Sequence, residues 1–270
     1  MSLRKVDKYS DIEVPEGKMI IVPRDNRLLE LPPYVNDKAP VPQWVKDAPN
    51  TAGSIRRCAA TMDYISVGVT IPAWTNFRFI KNDNEDSWDF ICDQFEGYGG
   101  NEFEPFINQP FHFEQTGSCP MTKVRAMENN GYPKLVNPFR VITAPGWSTL
   151  ILPVHYEPSP HYSVLPGIVN TDYYHESNCV LNLLGRESFT IPWGAPLMHL
   201  IPIKRSTMAH TLEFLDESAY KHVIGRGFGS GALKPSGHGW SSSRLYRGYR
   251  FHRDAELAKN NKKKKWWGTK

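Results

Sequence analysis

The sequence predicts an all-β barrel with an extended N-terminal arm and a basic C-terminal tail. Three observations lead there. Proline (22) and glycine (20) are abundant in 270 residues while long helical patterns are scarce, which favours many short strands and turns. Apolar and polar residues alternate through β-branched and aromatic stretches, the pattern of half-buried strands. Charge is segregated: residues 244–270 hold ten Lys or Arg and two acids, a net of +8, so the rest carries −4 of the formal +4.

The elements follow in order. Residues 1–50 form the arm, with a short strand at Met19-Ile20-Ile21-Val22-Pro23. Beyond it Pro32, Pro33, Pro40, Pro42 and Pro49 remove ladder donors and favour extended polyproline conformations. Tyr34, Trp44 and Val45 give the arm apolar anchors, either on its own domain or on a neighbouring subunit. Residues 51–232 form the barrel. Within it, residues 65–79 read as strands kinked at Pro72, and residues 83–93 as an acidic hairpin tip or short loop. An irregular insertion occupies about residues 81–138, with a short strand at 111–114.

Residues 140–154 give a strand, a Pro145-Gly146 turn and a second strand. Residues 163–203 supply at least three more strands, and residues 217–223 a helical turn before the glycine-rich run 225–231. Residues 233–270 are the tail. No apolar run approaches the roughly 20 residues needed to span a bilayer. The N-terminus lacks the apolar core of a signal peptide. Cys58, Cys92, Cys119 and Cys179 lie far apart without a CxxC pair, which fits buried free thiols in a reducing compartment.

Several of these pieces resemble the dUTPase and dCTP deaminase family. They are Met62-Asp63-Tyr64 with Ile71-Pro72, Pro145-Gly146, Leu150-Ile151-Leu152-Pro153, and Gly167-Ile168-Val169-Asn170-Thr171-Asp172-Tyr173. The strand FTI, the turn PWG and the strand LMHLIPI resemble the family's penultimate hairpin. Arg226-Gly227-Phe228-Gly229-Ser230-Gly231 resembles its closing loop. The resemblance implies a dUTPase-like β-clip, or a jelly-roll-like barrel. It also implies a deoxynucleotide pocket drawn from Asn170, Asp172, Tyr173, Arg226 and Phe228.

The departures fall on the chemistry. Asn170 stands where the family carries its water-activating aspartate, Val154-His155-Tyr156 where it carries a phosphate clamp, and Ala195, Pro196 and His199 where it carries further polar groups. Phosphoanhydride hydrolysis needs a carboxylate to polarise water and cations or amides on the phosphates. An amide orients water but takes no proton. Asp172 is the substitute catalytic candidate, but on a strand it would lie one pleat away, roughly 6–7 Å, against sub-ångström requirements. Mg2+ enters only with that hydrolase alternative; otherwise no cofactor is expected.

A second resemblance covers more of the chain. IRRCAATMDYISVGVTIPAWTNF, ITAPGW, LPGIVNTDYY and IPWGAPLMHLIPIKR, in this order after a proline-rich arm, are similar to uncharacterised proteins of large tailed bacteriophages and some bacteria. That implies a non-catalytic virion, assembly or host-interaction protein, in the host cytoplasm or the virion. Its partners would be further copies or other phage proteins.

Two other constellations bear on function. His155, His161, His175, Glu176 and His199 lack the HxH or PxG-linked spacing of a metal centre, so no metal site is expected. In the tail, Arg247, Arg250, Lys262, Lys263, Lys264 and Lys265 can meet phosphates, and Tyr249, Phe251, Trp266 and Trp267 can stack on bases. That composition also describes a solvated tail whose aromatics pack locally. Trp44, Trp74, Trp147, Trp193 and Trp240 are expected as core or interface anchors.

Overall fold

The structure, a computed structural model, describes residues 13–24, 28–29, 34–35, 41–51, 54–82, 87–92, 132–154, 156, 158–184, 187–209, 212 and 214. The chain divides into two compact units, Met1–Pro40 with Val67–Ala209, and Val41–Ser66 with His210–Lys270. Residues 51–66 fall in the second of these units, and the described strands in the first.

The first unit is all β among its described residues apart from 3-10 turns. Its strands are β1 (Met19–Pro23), β2 (Tyr34–Val35), β3 (Val69–Pro72), β4 (Phe77–Asn82), β5 (Ser87–Cys92), β6 (Lys134–Leu135), β7 (Phe139–Thr143), β8 (Trp147–Pro153), β9 (Tyr162–Val164), β10 (Gly167–Val169), β11 (Cys179–Leu183), β12 (Phe189–Ile191) and β13 (Pro196–Lys204). They form four sheets: β10-β8-β13-β3-β2, β6-β11-β9, β12-β4-β5, and the pair β1-β7. Every pairing is antiparallel.

Burial explains the pattern. β3 lies between β13 and β2, and all four of its residues are buried, as a central strand requires. β4 alternates, with Phe77 and Phe79 inward and Arg78 and Ile80 outward. Phe79 stacks on Phe189 at 4.7 Å, and His161 lies parallel to the same ring at 5.0 Å. Ile71, Leu135, Phe139, Leu181, Met198 and Leu200 close the core from the other sheets.

A corner joins two of the sheets. β3 continues into β4, and β12 into β13, yet β3 and β13 pair in one sheet while β4 and β12 pair in another. Ala73 N donates to Ala195 O at 2.7 Å, Gly194 N to Ala73 O at 2.8 Å, and Trp193 N to Asn76 Oδ1 at 2.8 Å. Pro72 and Pro192 have no N–H to extend either ladder, so the ribbon bends where they stand. The expected hairpin FTI-PWG-LMHLIPI is therefore corrected: its two strands belong to different sheets.

Other expectations change too. The arm strand at Met19–Pro23 forms and pairs over its full length with β7 of its own chain. The segment expected as an acidic tip contains β5, paired with β4 from Ser87 to Cys92. Trp88 is buried and Phe90 packs on Phe79 at 5.0 Å, so alternation outweighs the local acids. Both ends of the expected insertion thus belong to the sheets, since β6 pairs with β11. Residues 93–131, including the expected strand at 111–114, lie outside the described residues, as do residues 217–231.

In the second unit the described elements are α1 (Gln43–Asp47), a 3-10 turn Ile55–Arg57 and α2 (Ala59–Ile65). Met62-Asp63-Tyr64, quoted above for the family resemblance, is helical. Ala59 and Ala60 favour the helix at its start, and Ser66 closes it, its amide bonding back to Met62 O and Asp63 O. Trp74 and Trp88 are buried, whereas Trp44 and Trp193 are half exposed.

Candidate functional site

β10 is an edge strand on β8, and the chain turns as soon as it ends. Asn170 O accepts from Tyr173 N at 3.0 Å and Tyr174 N at 2.9 Å, so residues 170–174 form a tight turn. The expectation of a continuing strand, with Asp172 one pleat beyond Asn170 on the same face, is corrected by this turn. β7 lies alongside: Val141 N donates to His175 O at 2.8 Å, and Thr143 N to Thr171 O at 3.3 Å.

Thr171 is fully buried beneath the turn. Its hydroxyl lies 2.8 Å from both Thr143 Oγ1 and Thr149 Oγ1, and Thr143 Oγ1 donates to Trp147 O at 3.2 Å. Each hydroxyl has one proton, which fixes the direction: Thr149 donates to Thr171, Thr171 to Thr143, and Thr143 to the carbonyl. Such a chain of satisfied buried groups is rigid, because breaking one link strands a donor.

Asp172 is held more tightly still. Its side chain is 4% exposed. Oδ1 accepts from Arg205 Nη1 at 2.7 Å, and Oδ2 from Arg205 Nη2 at 2.5 Å and Gly146 N at 2.9 Å. Arg205 Nη1 also donates to Trp147 O at 2.9 Å and Ser148 Oγ at 3.3 Å, while Arg205 N donates to Gly146 O at 2.9 Å. Ser148 Oγ in turn donates to Asn170 Oδ1 at 2.8 Å. The Arg205 hydrogen bonds hold the Asp172 carboxyl below the ordinary carboxylate range, and Asp172 raises the guanidinium in return. This geometry suits a fork-to-fork clasp joining the start of β8, the 170–174 turn and the end of β13. A general base needs an accessible lone pair and a pKa near the working pH, and Asp172 offers neither.

Tyr173 is 85% exposed and Tyr174 54%. The Tyr174 hydroxyl donates to Glu176 Oε2 at 3.4 Å, and Glu176 pairs with Arg24, the residue that follows β1. Of the expected pocket residues, Asn170 and Asp172 therefore share one network, and Tyr173 faces solvent beside it. Arg226 and Phe228 lie outside the described residues, as do Arg247, Arg250, Lys262, Lys263, Lys264 and Lys265. Arg205 escaped sequence reading: it stands 33 residues from Asp172, and only the β13–β8 register, Lys204 opposite Trp147, brings them together.

A cleft of about 350 Å³ opens at the other end of β8. Pro153, Val154, Tyr156, Tyr162, Pro196 and Leu197 are among the residues that line it. β8 is seven residues long, so at roughly 3.3 Å per residue the cleft and the Asp172 clasp stand about 20 Å apart along the strand. Val154 and Tyr156, at the expected clamp position, line this cleft; His155 lies outside the described residues. Asn170, Asp172 and Tyr173 do not line it.

No group of three or more His, Cys, Asp or Glu fit to hold a metal occurs among the described residues. His199 is buried, with Nδ1 3.1 Å from Thr70 Oγ1. Cys58, Cys92 and Cys179 are free thiols, and burial pushes the Cys179 thiol up; Cys119 lies outside the described residues. No described helix is long and apolar enough to cross a membrane.

The class that these sheets define is all β. No family model and no curated protein matches the chain. Among solved structures it is similar to the native EIAV dUTPase, with 13% identity and a TM-score of 0.26, over 32% of this chain and 70% of that one. A TM-score of that size carries neither topology nor activity across.

Proposed function

We propose that the chain is a non-catalytic structural or interaction protein of the kind that large tailed bacteriophages encode. Its role is in the virion, in virion assembly or in contact with the host, its partners are further copies or other phage proteins, and it works in the host cytoplasm or the virion without a cofactor. The observation that carries the reading is the engagement of Asp172. Both of its oxygens are taken by Arg205 and the Gly146 amide, where a hydrolase would keep a carboxylate free for water. The exposed Tyr173 and Tyr174 on the rigid turn give an aromatic contact surface of the type that anchors protein interfaces.

Thermal unfolding with deoxynucleotides tests the non-catalytic half. At millimolar dUTP, dCTP or dUMP with Mg2+, the melting temperature should move by less than about 1 °C, because a ligand binding only the native state raises stability by mass action. A rise of several degrees would restore the divergent nucleotide-binding or hydrolase reading through Asn170, Asp172, Tyr173, Arg226 and Phe228. Mass spectrometry of purified virions tests the other half: the chain should be present in many copies or co-purify with assembly intermediates, and its absence from both would remove the virion role.

A further inference from the structure

The pairing of the arm strand β1 with β7 has features that neither the Asp172 clasp nor the proposed role uses. On one side of β7, Val141 N and Thr143 N donate to His175 O and Thr171 O. Successive N–H groups of a strand point in opposite directions, so Arg140 and Ile142 turn theirs toward β1. β7 is built into the core, with Phe139, Val141 and Thr143 buried, whereas no residue of β1 is fully buried. Met19 and Ile21 of β1 pack on the core, and both are only partly buried. β1 can therefore leave without opening the core, and its departure would bare a row of ladder groups shaped for a strand.

Ion pairs hold the arm at both ends. Before β1, Glu16 accepts from Lys204 Nζ, at the end of β13, at 3.0 Å. After β1, Arg24 pairs with Glu176, and Arg24 N donates to Pro138 O at 2.9 Å. The groove along β7 thus has a cation at one end and a carboxylate at the other, and the strand that fills it carries the reverse. A strand laid in the opposite direction would bring like charges together at both ends.

We propose that the groove along β7 is a strand-docking site for a second copy of this chain, one copy lending residues 16–24 to the β7 of the other. A foreign strand matches the ladder alone. The arm of a copy reproduces the ladder, the Met19 and Ile21 contacts and both ion pairs, in one direction. Exchange loses no contact, because each one made within a chain is remade between chains. The tethered arm acts at an effective concentration of roughly millimolar, so exchange becomes appreciable as the chain approaches that level.

The docking site rests on β1 and β7 alone, whatever the virion role. Val22 and Arg140 are directly opposed and both exposed. Opposed Cα atoms of an antiparallel pair, about 4.5–5.5 Å apart, lie within disulfide range. Val22→Cys and Arg140→Cys placed in one full-length chain should therefore cross-link within that chain. Two full-length single variants, Val22→Cys and Arg140→Cys, mixed at about 1 mM under mild oxidation, should give a dimer joined from 22 to 140. Peptide mass mapping reads the linkage. Its yield should exceed by about tenfold or more that of Val22→Cys mixed with Thr190→Cys, an exposed position on β12 outside the groove. A synthetic peptide of residues 13–24 carrying Val22→Cys, offered to the Arg140→Cys chain, separates two failures. Mixed dimers no commoner than in the Thr190→Cys control overturn the second-copy assignment. If the peptide also fails to cross-link, or the double variant does not close, the docking site is overturned with it.

Discussion

Asp172 is nearly buried, charged and paired, and that combination sets what its replacement does. Changing it to Asn keeps the shape but removes the charge that faces two guanidinium donors and the Gly146 amide. The loss should be about 2 kcal/mol, the range for buried hydrogen bonds to charged groups, read as a lower urea midpoint at pH 7. The pH dependence follows from the depressed carboxyl pKa, whose first cause is the Arg205 hydrogen bond. A carboxylate lowered on folding contributes its stability fully above the unfolded value of about 3.9. That contribution fades as pH falls through the lower folded value. The gap between parent and Asp172→Asn should therefore be wide at pH 7 and close in strong acid. A gap that persists unchanged at about pH 2 would mean that the ion pair is not what the residue supplies. Asn170 and Asp172 stood out from sequence because a known motif framed them. Arg205 did not, because at the end of an apolar strand it reads as an ordinary solvated charge.

Two glycines separate what a turn needs from what packing needs. Gly68, just before β3, and Gly146, in the turn before β8, have nearly the same backbone, φ +82° and +80°. A Cβ at Gly146 would meet nothing within 4 Å, whereas at Gly68 it would lie 2.3 Å from Leu200 O on β13 and 3.0 Å from His199 Nε2. Gly146→Ala should cost only the left-handed penalty of about 1–2 kcal/mol. Gly68→Ala adds a clash with the backbone of the central strand and should cost at least about 2 kcal/mol more, with chemical denaturation of the two variants side by side as the check. Equal losses would show that β13 does not press on Gly68. At this scale the sequence was legible where the signal was local. Pro145-Gly146 gave its turn, and the alternation in FRFIKN gave β4. SWDFIC carries the same alternation, but its acidic neighbours dominate the local composition and favour an acidic hairpin tip or short loop. α2 was hidden in a run continuous with β3, with no breaker between Ala59 and Ile65. The partners of β12 could not be read at all: Phe189 pairs with Phe79, and nothing within three residues of either specifies the other.

Over the whole molecule, the strongest unspent sequence signal is the division of charge. The formal total is +4, residues 244–270 contribute +8, and the chain without them carries −4. Folding cannot cancel such an imbalance, because it is a property of composition and acts over a Debye length of roughly 10 Å at 0.1 M salt. A polyanion meeting the full chain encounters a cluster of ten cations, and each phosphate neutralised releases condensed counterions, so binding must weaken steeply with salt. The full chain should therefore be retained on immobilised DNA at low salt and elute well before about 0.5 M. Truncation at Arg244 should abolish retention and reverse the sign of electrophoretic mobility at pH 7. Random-sequence and poly-dT DNA distinguish the contributions: contacts from Lys262, Lys263, Lys264 and Lys265 to phosphate alone would not tell them apart. Stacking by Trp266 and Trp267 would favour the single strand and leave a salt-resistant remainder. A truncated chain that still binds would move the contact off the tail and onto the −4 body, where charge alone offers it no attraction. A full chain that flows through at low salt would remove the nucleic-acid-associated reading, leaving the tail as a charged terminus whose two tryptophans serve protein contacts.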